Sequence, residues 1–300
     1  MNYNEFVQAV LKHFTEQLGD EYTVSVNEVM KNNHVQMNGI LMKKKGQKVT
    51  PNIYLNSFYE QYIEEDDLNL VLQNIWNTYQ EALDNFNSDD FDFNLEWENQ
   101  KDSVIYRLVN YEENKEKLSC IPYIRFLDLA ITFHCIIKLQ DESVSMLPIT
   151  NTIMDHWNID IKYLFQCATD NTPLYFPLVF STLEDVIKML VGEDVMGNIC
   201  PKSEDEVMMY VITNEQGING ATVMLYQEEF QQLAAKLGGK LYILPSSIHE
   251  LILIPFEEDV DEEKLAQLVQ EVNQNQVPLE EVLSNHIYLY DSETRTFEVR

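Results

Sequence analysis

The chain has 300 residues, 45% apolar and 23% charged, with only 9 Gly and 9 Pro. That balance excludes a disordered or low-complexity chain and permits one large core or two smaller ones. Fifty acids face 20 bases, a formal charge of −30; such a surface repels phosphate backbones, so nucleic acid is not an expected partner.

The charge itself suits solubility, a basic protein partner, or mimicry of a nucleic acid. The opening "MNYNEFVQAVLKHF" carries no apolar signal core and reads as an amphipathic helix. The longest apolar runs, "LAITFHCII" and "LILIPF", fall short of the ~18 residues that span a bilayer. No membrane association is expected, and the cytosol is the expected compartment. Cys120, Cys135, Cys167 and Cys200 form no Cys-x-x-Cys pair and have mostly apolar neighbours, the pattern of reduced, buried thiols.

In chain order, Phe6, Val10, Phe14 and Leu18 recur at helical spacing, and Gly19 ends the pattern. "YTVSVNEV" and "HVQMNGILM" read as strands joined by a turn at Asn32-Asn33. The lysine-rich "KKKGQK" reads as an exposed loop. "VTPNIYL" reads as a third strand, with Pro51 at an edge or at its start. After Asp66-Asp67, Leu68, Leu72, Ile75, Tyr79, Leu83 and Phe86 mark one side of a long helix. The first unit, residues 1–90, is therefore helix, strands, helix. The acidic, aromatic stretch 85–100 is a linker or short helix, and a second α+β domain spans 101–300.

That domain opens with the strand "SVIYRLVNY", a short helix at "EENKEKL", and strand-rich sequence from Ile121 to Ile149. Helices follow at "NTIMDHW" and "DIKYLFQCATDN", then a strand in "PLYFPLVF" and a helix "LEDVIKML" capped by Ser181 or Thr182 and stopped at Gly192. The last hundred residues read as two strand-strand-helix modules: "EVMMYVIT", "ATVMLY" and "QEEFQQLAAKLGG", then "KLYILP", "HELILIPF" and "DEEKLAQLVQEV". A hairpin, "HIYLYD" with "TFEVR", closes the chain. The fold class is α+β with largely antiparallel strands.

Within "KLYILPSSIHELILIPF", Pro245 ends one strand because it cannot donate to a ladder, while Ser246 and Ser247 favour a turn. A chemical reading competes with the structural one. Alternate residues of an extended segment share a face, which sets Ser247 beside His249 and turns Glu250 away. No glycine flanks the serines, so the strained nucleophile elbow is absent. Pro245, Ser246, Ser247, His249 and Glu250 are the candidate recognition residues, with Ser247 and His249 the candidate catalytic pair. Asp128 sits in the apolar run "RFLDLAITF" and needs a partner; Arg125 can supply one only if the strand bends. His134 reads as a core histidine and His156 as a helix-end contact. Without H-x-x-x-H, H-x-H, a P-loop or G-x-G-x-x-G, no metal and no cofactor is expected.

Four blocks, "LVNYEENKEKL", "IPYIRFLDLAITF", "NGATVMLY" and "YILPSSIHELILIP", together resemble an uncharacterised bacterial domain-of-unknown-function family found mainly in Gram-positive anaerobes. The resemblance runs through most of the chain and implies a cytoplasmic bacterial protein and no particular activity. Three functional readings stand together at this stage. The leading one is a non-enzymatic binding or regulatory module with an acidic surface. The others are a small serine hydrolase using Ser247 and His249, and an acidic nucleic-acid mimic or inhibitor of a basic protein.

Overall fold

The structure is a computed structural model that describes residues 1–47, 50–84, 94–140, 143–191 and 208–300. The chain folds as two compact units, Met1–Phe93 and Asn94–Arg300. In the first, Asn2 and Glu5 form a reciprocal capping box, each side chain bonded to the other's main-chain N–H at 2.9 Å. That box starts helix α1 (Tyr3–Leu18), and Gly19, in the left-handed region at φ 57°, stops it. Strands β1 (Tyr22–Met30), β2 (Gln36–Lys44) and β3 (Asn52–Tyr54) form an antiparallel sheet in that order. Pro51 precedes the edge strand β3, where a missing donor is tolerated.

The helix-strands-helix expectation misses one element. Asn56–Glu65 is a helix, α2, ahead of α3 (Leu68–Asp84). Ten residues give few turns of periodicity, and no side chain caps its start; Phe58, Tyr59 and Tyr62 nonetheless pack it on the core. Phe6, Val10, Phe14, Ile40, Met42, Val71, Ile75 and Tyr79 are all fully buried in that core. The Tyr79 hydroxyl donates to the Met42 carbonyl at 2.6 Å, so even its polar end is satisfied. Of the stretch 85–100, residues 85–93 lie outside the described residues, and Trp97–Gln100 forms one helical turn, α4.

Among the described residues, the second unit holds two antiparallel sheets. In the smaller, the long strand β6 (Leu129–Gln140) pairs on one side with β4 (Val104–Asn110). It also pairs with β5 (Tyr123–Phe126) and β7 (Ser143–Pro148). The short helix α5 (Lys115–Leu118) lies between β4 and β5 in sequence, and α6 (Asn151–Trp157) and α7 (Ile161–Tyr175) follow β7. Tyr106 stacks on Phe165 of α7 and Phe133 meets the same ring edge-on, which buries one face of this sheet. Helix α7 runs through Pro173 to Tyr175, so the expected strand in "PLYFPLVF" is shorter and begins only at Leu178.

The larger sheet also contains β8 (Leu178–Thr182), β9 (Tyr210–Asn214), β10 (Lys240–Leu244), β11 (Leu251–Pro255), β12 (Tyr288–Asp291) and β13 (Thr296–Val299). Their order is β13-β12-β10-β11-β9-β8. Thr182 caps α8 (Leu183–Val191), accepting the Asp185 N–H at 3.1 Å; the expected stop at Gly192 lies outside the described residues. Helices α9 (Gln227–Lys236) and α10 (Glu262–Asn275) complete the unit.

One of the two expected strand-strand-helix modules is present as read. Strands β10 and β11 pair from Leu241↔Pro255 to Leu244↔Ile252, and α10 packs Val269 and Leu265 against them. The other is corrected: "ATVMLY" is not a strand. Gly220–Leu225 is a 3₁₀ helix, buried from Gly220 to Met224. Both edges of β9 are already taken, by β8 and β11, so no place beside it remains for this segment. A six-residue apolar run has no periodicity that separates a buried strand from a buried helical turn.

Candidate functional site

Three polar arrangements stand out in the second unit. The first surrounds Asp128, which occupies the turn between β5 and β6 beside Leu127 at φ 57°. Asp128 does not pair with Arg125. Its carboxylate accepts the Ser284 hydroxyl and the Tyr288 hydroxyl, both at 2.6 Å. Ser284 and Tyr288 are fully buried, and burial, then the Asp128 charge, raises the Tyr288 hydroxyl well above its ordinary pKa. Arg125 donates instead to the Leu127 carbonyl at 2.9 Å and lays its guanidinium 3.5 Å from the centre of the Tyr111 ring.

The second is the 245–250 corner. It reverses the chain between β10 and β11, bending at Ile248 and His249 and so not running extended from Ser247 to Glu250. The Pro245 and Ser246 carbonyls accept the N–H groups of Ser284 and Leu283 at 2.9 and 3.0 Å. Ser247 bridges to Val282, and the Ile248 N–H donates to the Glu281 carbonyl at 2.8 Å. The Ser247 hydroxyl is buried and accepts the main-chain N–H of His249 at 3.0 Å. The imidazole itself looks elsewhere. Its Nδ1 lies 3.3 Å from the Asn219 nitrogen and 3.2 Å from the Gly217 carbonyl, so either tautomer finds a partner. Its Nε2 is 3.7 Å from the Glu281 carboxylate.

The sequence pattern turns Glu250 away from this pair. Because the segment bends, the His249 charge and the Ser247 hydroxyl both act on its carboxyl, but burial outweighs them and raises its pKa. Pro245, Ser246, Ser247 and His249 are thus brought together, and their polar groups are occupied by the neighbouring main chain. The arrangement holds the 217–219 loop on one side and the 281–284 segment on the other.

The third arrangement is a groove of about 630 Å³ between the C-terminal half of α10 and the chain that the corner holds. Gln270, Asn273, Gln274 and Asn285 contribute amides; Val277, Leu279 and Val282 contribute apolar surface. Asn273 is buried, and its Nδ2 donates to the Ser284 carbonyl and to the Asn285 Oδ1, both at 2.8 Å. Its Oδ1 is buried without a donor. Leu279, 63% exposed, stands at the rim. The sequence reading missed this groove. Gln270, Asn273 and Gln274 look like the solvated side of an amphipathic helix, and nothing local links them to residues 277–285.

Among the described residues, no group of three or more His, Cys, Asp or Glu is placed to hold a metal ion. His134 is buried in β6 and His156 lies in the last turn of α6. Of the four cysteines, Cys135 is buried, Cys167 half-buried and Cys120 exposed, which corrects the expectation of uniformly buried thiols; Cys200 lies outside the described residues. Among the described residues, no helix is long and apolar enough to cross a membrane.

These features define an α+β protein with antiparallel sheets whose polar corner serves as a brace. The chain belongs to a family of unknown function, DUF5688, whose model matches residues 3–292. No curated protein and no solved structure matches it.

Proposed function

We propose that the protein is a non-enzymatic binding module of the bacterial cytosol, and that the groove beside α10 seats its ligand. The observation that carries this reading is the groove itself, about 630 Å³ and lined by amides and aliphatic side chains together. The lining has four amides, three aliphatic side chains and no charged group. Main-chain N–H and C=O groups with small apolar side chains match such a surface, so the ligand class is an uncharged polypeptide segment. The net charge of −30 favours a basic protein as its carrier by long-range steering. Free cysteines support the reducing compartment.

The serine hydrolase reading has less support, because the Ser247–His249 hydrogen bond runs through the main chain and the imidazole is engaged elsewhere. The acidic-mimic reading draws support from the net charge alone.

Panning a random-peptide library on the full chain tests the leading reading. Selected peptides should be poor in charged residues at their centres, and Leu279→Glu at the rim should weaken their binding by roughly tenfold or more. Ser247→Ala should leave fluorophosphonate labelling at background, as in the wild type. Peptides that bind Leu279→Glu as tightly as the wild type would sink the groove. Wild-type labelling that disappears in Ser247→Ala would transfer the case to the hydrolase.

A further inference from the structure

The smaller sheet of the second unit carries an arginine and a histidine side by side on one face. Arg107 on β4 stands opposite Thr132 of β6, and His134 stands opposite Ile105. Paired residues, and residues two apart along a strand, share a face, so Arg107, Thr132 and His134 project from the same side. The Arg107 Nε–H donates to the Asn219 Oδ1 at 2.8 Å. Its remaining donors have no described partner, and no described carboxylate forms an ion pair with it. His134 is 8% exposed and its Nδ1 is buried without a partner.

In a chain with 50 acids and 20 bases, a half-buried arginine without an acid beside it is informative. A buried charge ordinarily finds a partner because the uncompensated state is costly. Burial here pulls the Arg107 guanidinium down to about 10. Burial also holds the His134 imidazole well below its ordinary value, and the charges of Arg107 and of Lys117 on α5 act in the same direction.

We infer that this face binds an oxyanion, the carboxylate or phosphate group of a small ligand, between the free donors of Arg107 and the imidazole of His134. The guanidinium presents a planar fork that suits either group through charge-assisted hydrogen bonds. An anion seated there would offset the Arg107 charge, which after burial is the next cause of the lowered His134 value, so the imidazole reports occupancy. The inference rests on residues separate from the groove beside α10 and stands or falls without it.

The test is a two-dimensional NMR titration of the histidine ring signals in the full chain, with His134 assigned from His134→Gln. Inorganic phosphate and acetate are added in separate arms, each against chloride at constant ionic strength. A saturable shift of the His134 signals is expected in at least one arm, and the responding arm identifies the group. The imidazole should then titrate at higher pH. Arg107→Met should weaken the response by roughly tenfold or more. If that variant does not fold, Arg107→Lys takes its place, because it keeps the charge and loses the fork. A His134 signal indifferent to both anions overturns the inference. So does a response that Arg107→Met, or its Lys replacement, leaves unchanged.

Discussion

At the scale of single residues, Asp128 is the clearest case of a polar group fixed by its partners. One carboxylate accepts two hydroxyls, from Ser284 and Tyr288, each more than a hundred positions away in the chain. Hydrogen bonds to a charged group contribute about 1.5–3 kcal/mol each, and the loss is greatest where a buried acceptor is stranded. Tyr288→Phe removes one of these bonds without opening a cavity, so it should destabilise the protein by about 1.5–3 kcal/mol. Ser284→Ala should cost a similar amount. The two losses should not add, because both hydroxyls serve one carboxylate. Urea denaturation of the two single variants and the double variant measures this directly. Strict additivity would show that the hydroxyls act independently of Asp128.

At the scale of elements, Gly220 decides how the 3₁₀ segment sits. A Cβ there would collide with the Thr213 hydroxyl and the His249 carbonyl, and the second is main chain that cannot swing aside. Gly220→Ala should therefore destabilise by about 1–3 kcal/mol, the usual range for forcing an extra methyl into a packed site. Equal thermal stability of the variant and the wild type would contradict that close approach. The same segment shows where reading from sequence stops. Helices α1 and α3 and the β10–β11 hairpin were legible because their apolar residues repeat over several turns or stop at a proline. Gly220–Leu225 and α2 were not, being too short to display a period. The candidate sites were harder still. Ser247 and His249 stand out as alternate residues of one short segment, whereas Asn273 and the 277–285 segment meet only in the folded chain. Arg107 did have a local signal, a charge inside the apolar strand "SVIYRLVNY", of the same kind that singled out Asp128.

At the scale of the whole molecule, the net charge of −30 opposes folding, because the folded chain holds its carboxylates closer together than the unfolded one. The cations offset little of this. Lys12–Glu16, Lys101–Glu98, Lys188–Glu184 and Lys264–Asp261 are local pairs three or four residues apart with solvent-exposed side chains. Exposed pairs of this kind contribute about 0–1 kcal/mol. Added salt weakens both effects, but unequally. Repulsion among many like charges acts over distances comparable to the screening length, which falls from about 30 Å at 0.01 M to about 8 Å at 0.15 M. A pair in contact loses a smaller share of an already small contribution. Sodium chloride should accordingly raise the melting temperature steeply from low ionic strength and then level off near physiological values. Differential scanning calorimetry across that range checks it. A melting temperature that stays flat or falls as salt is added would mean that attractive pairs, and not the excess of carboxylates, dominate the electrostatics of the folded chain.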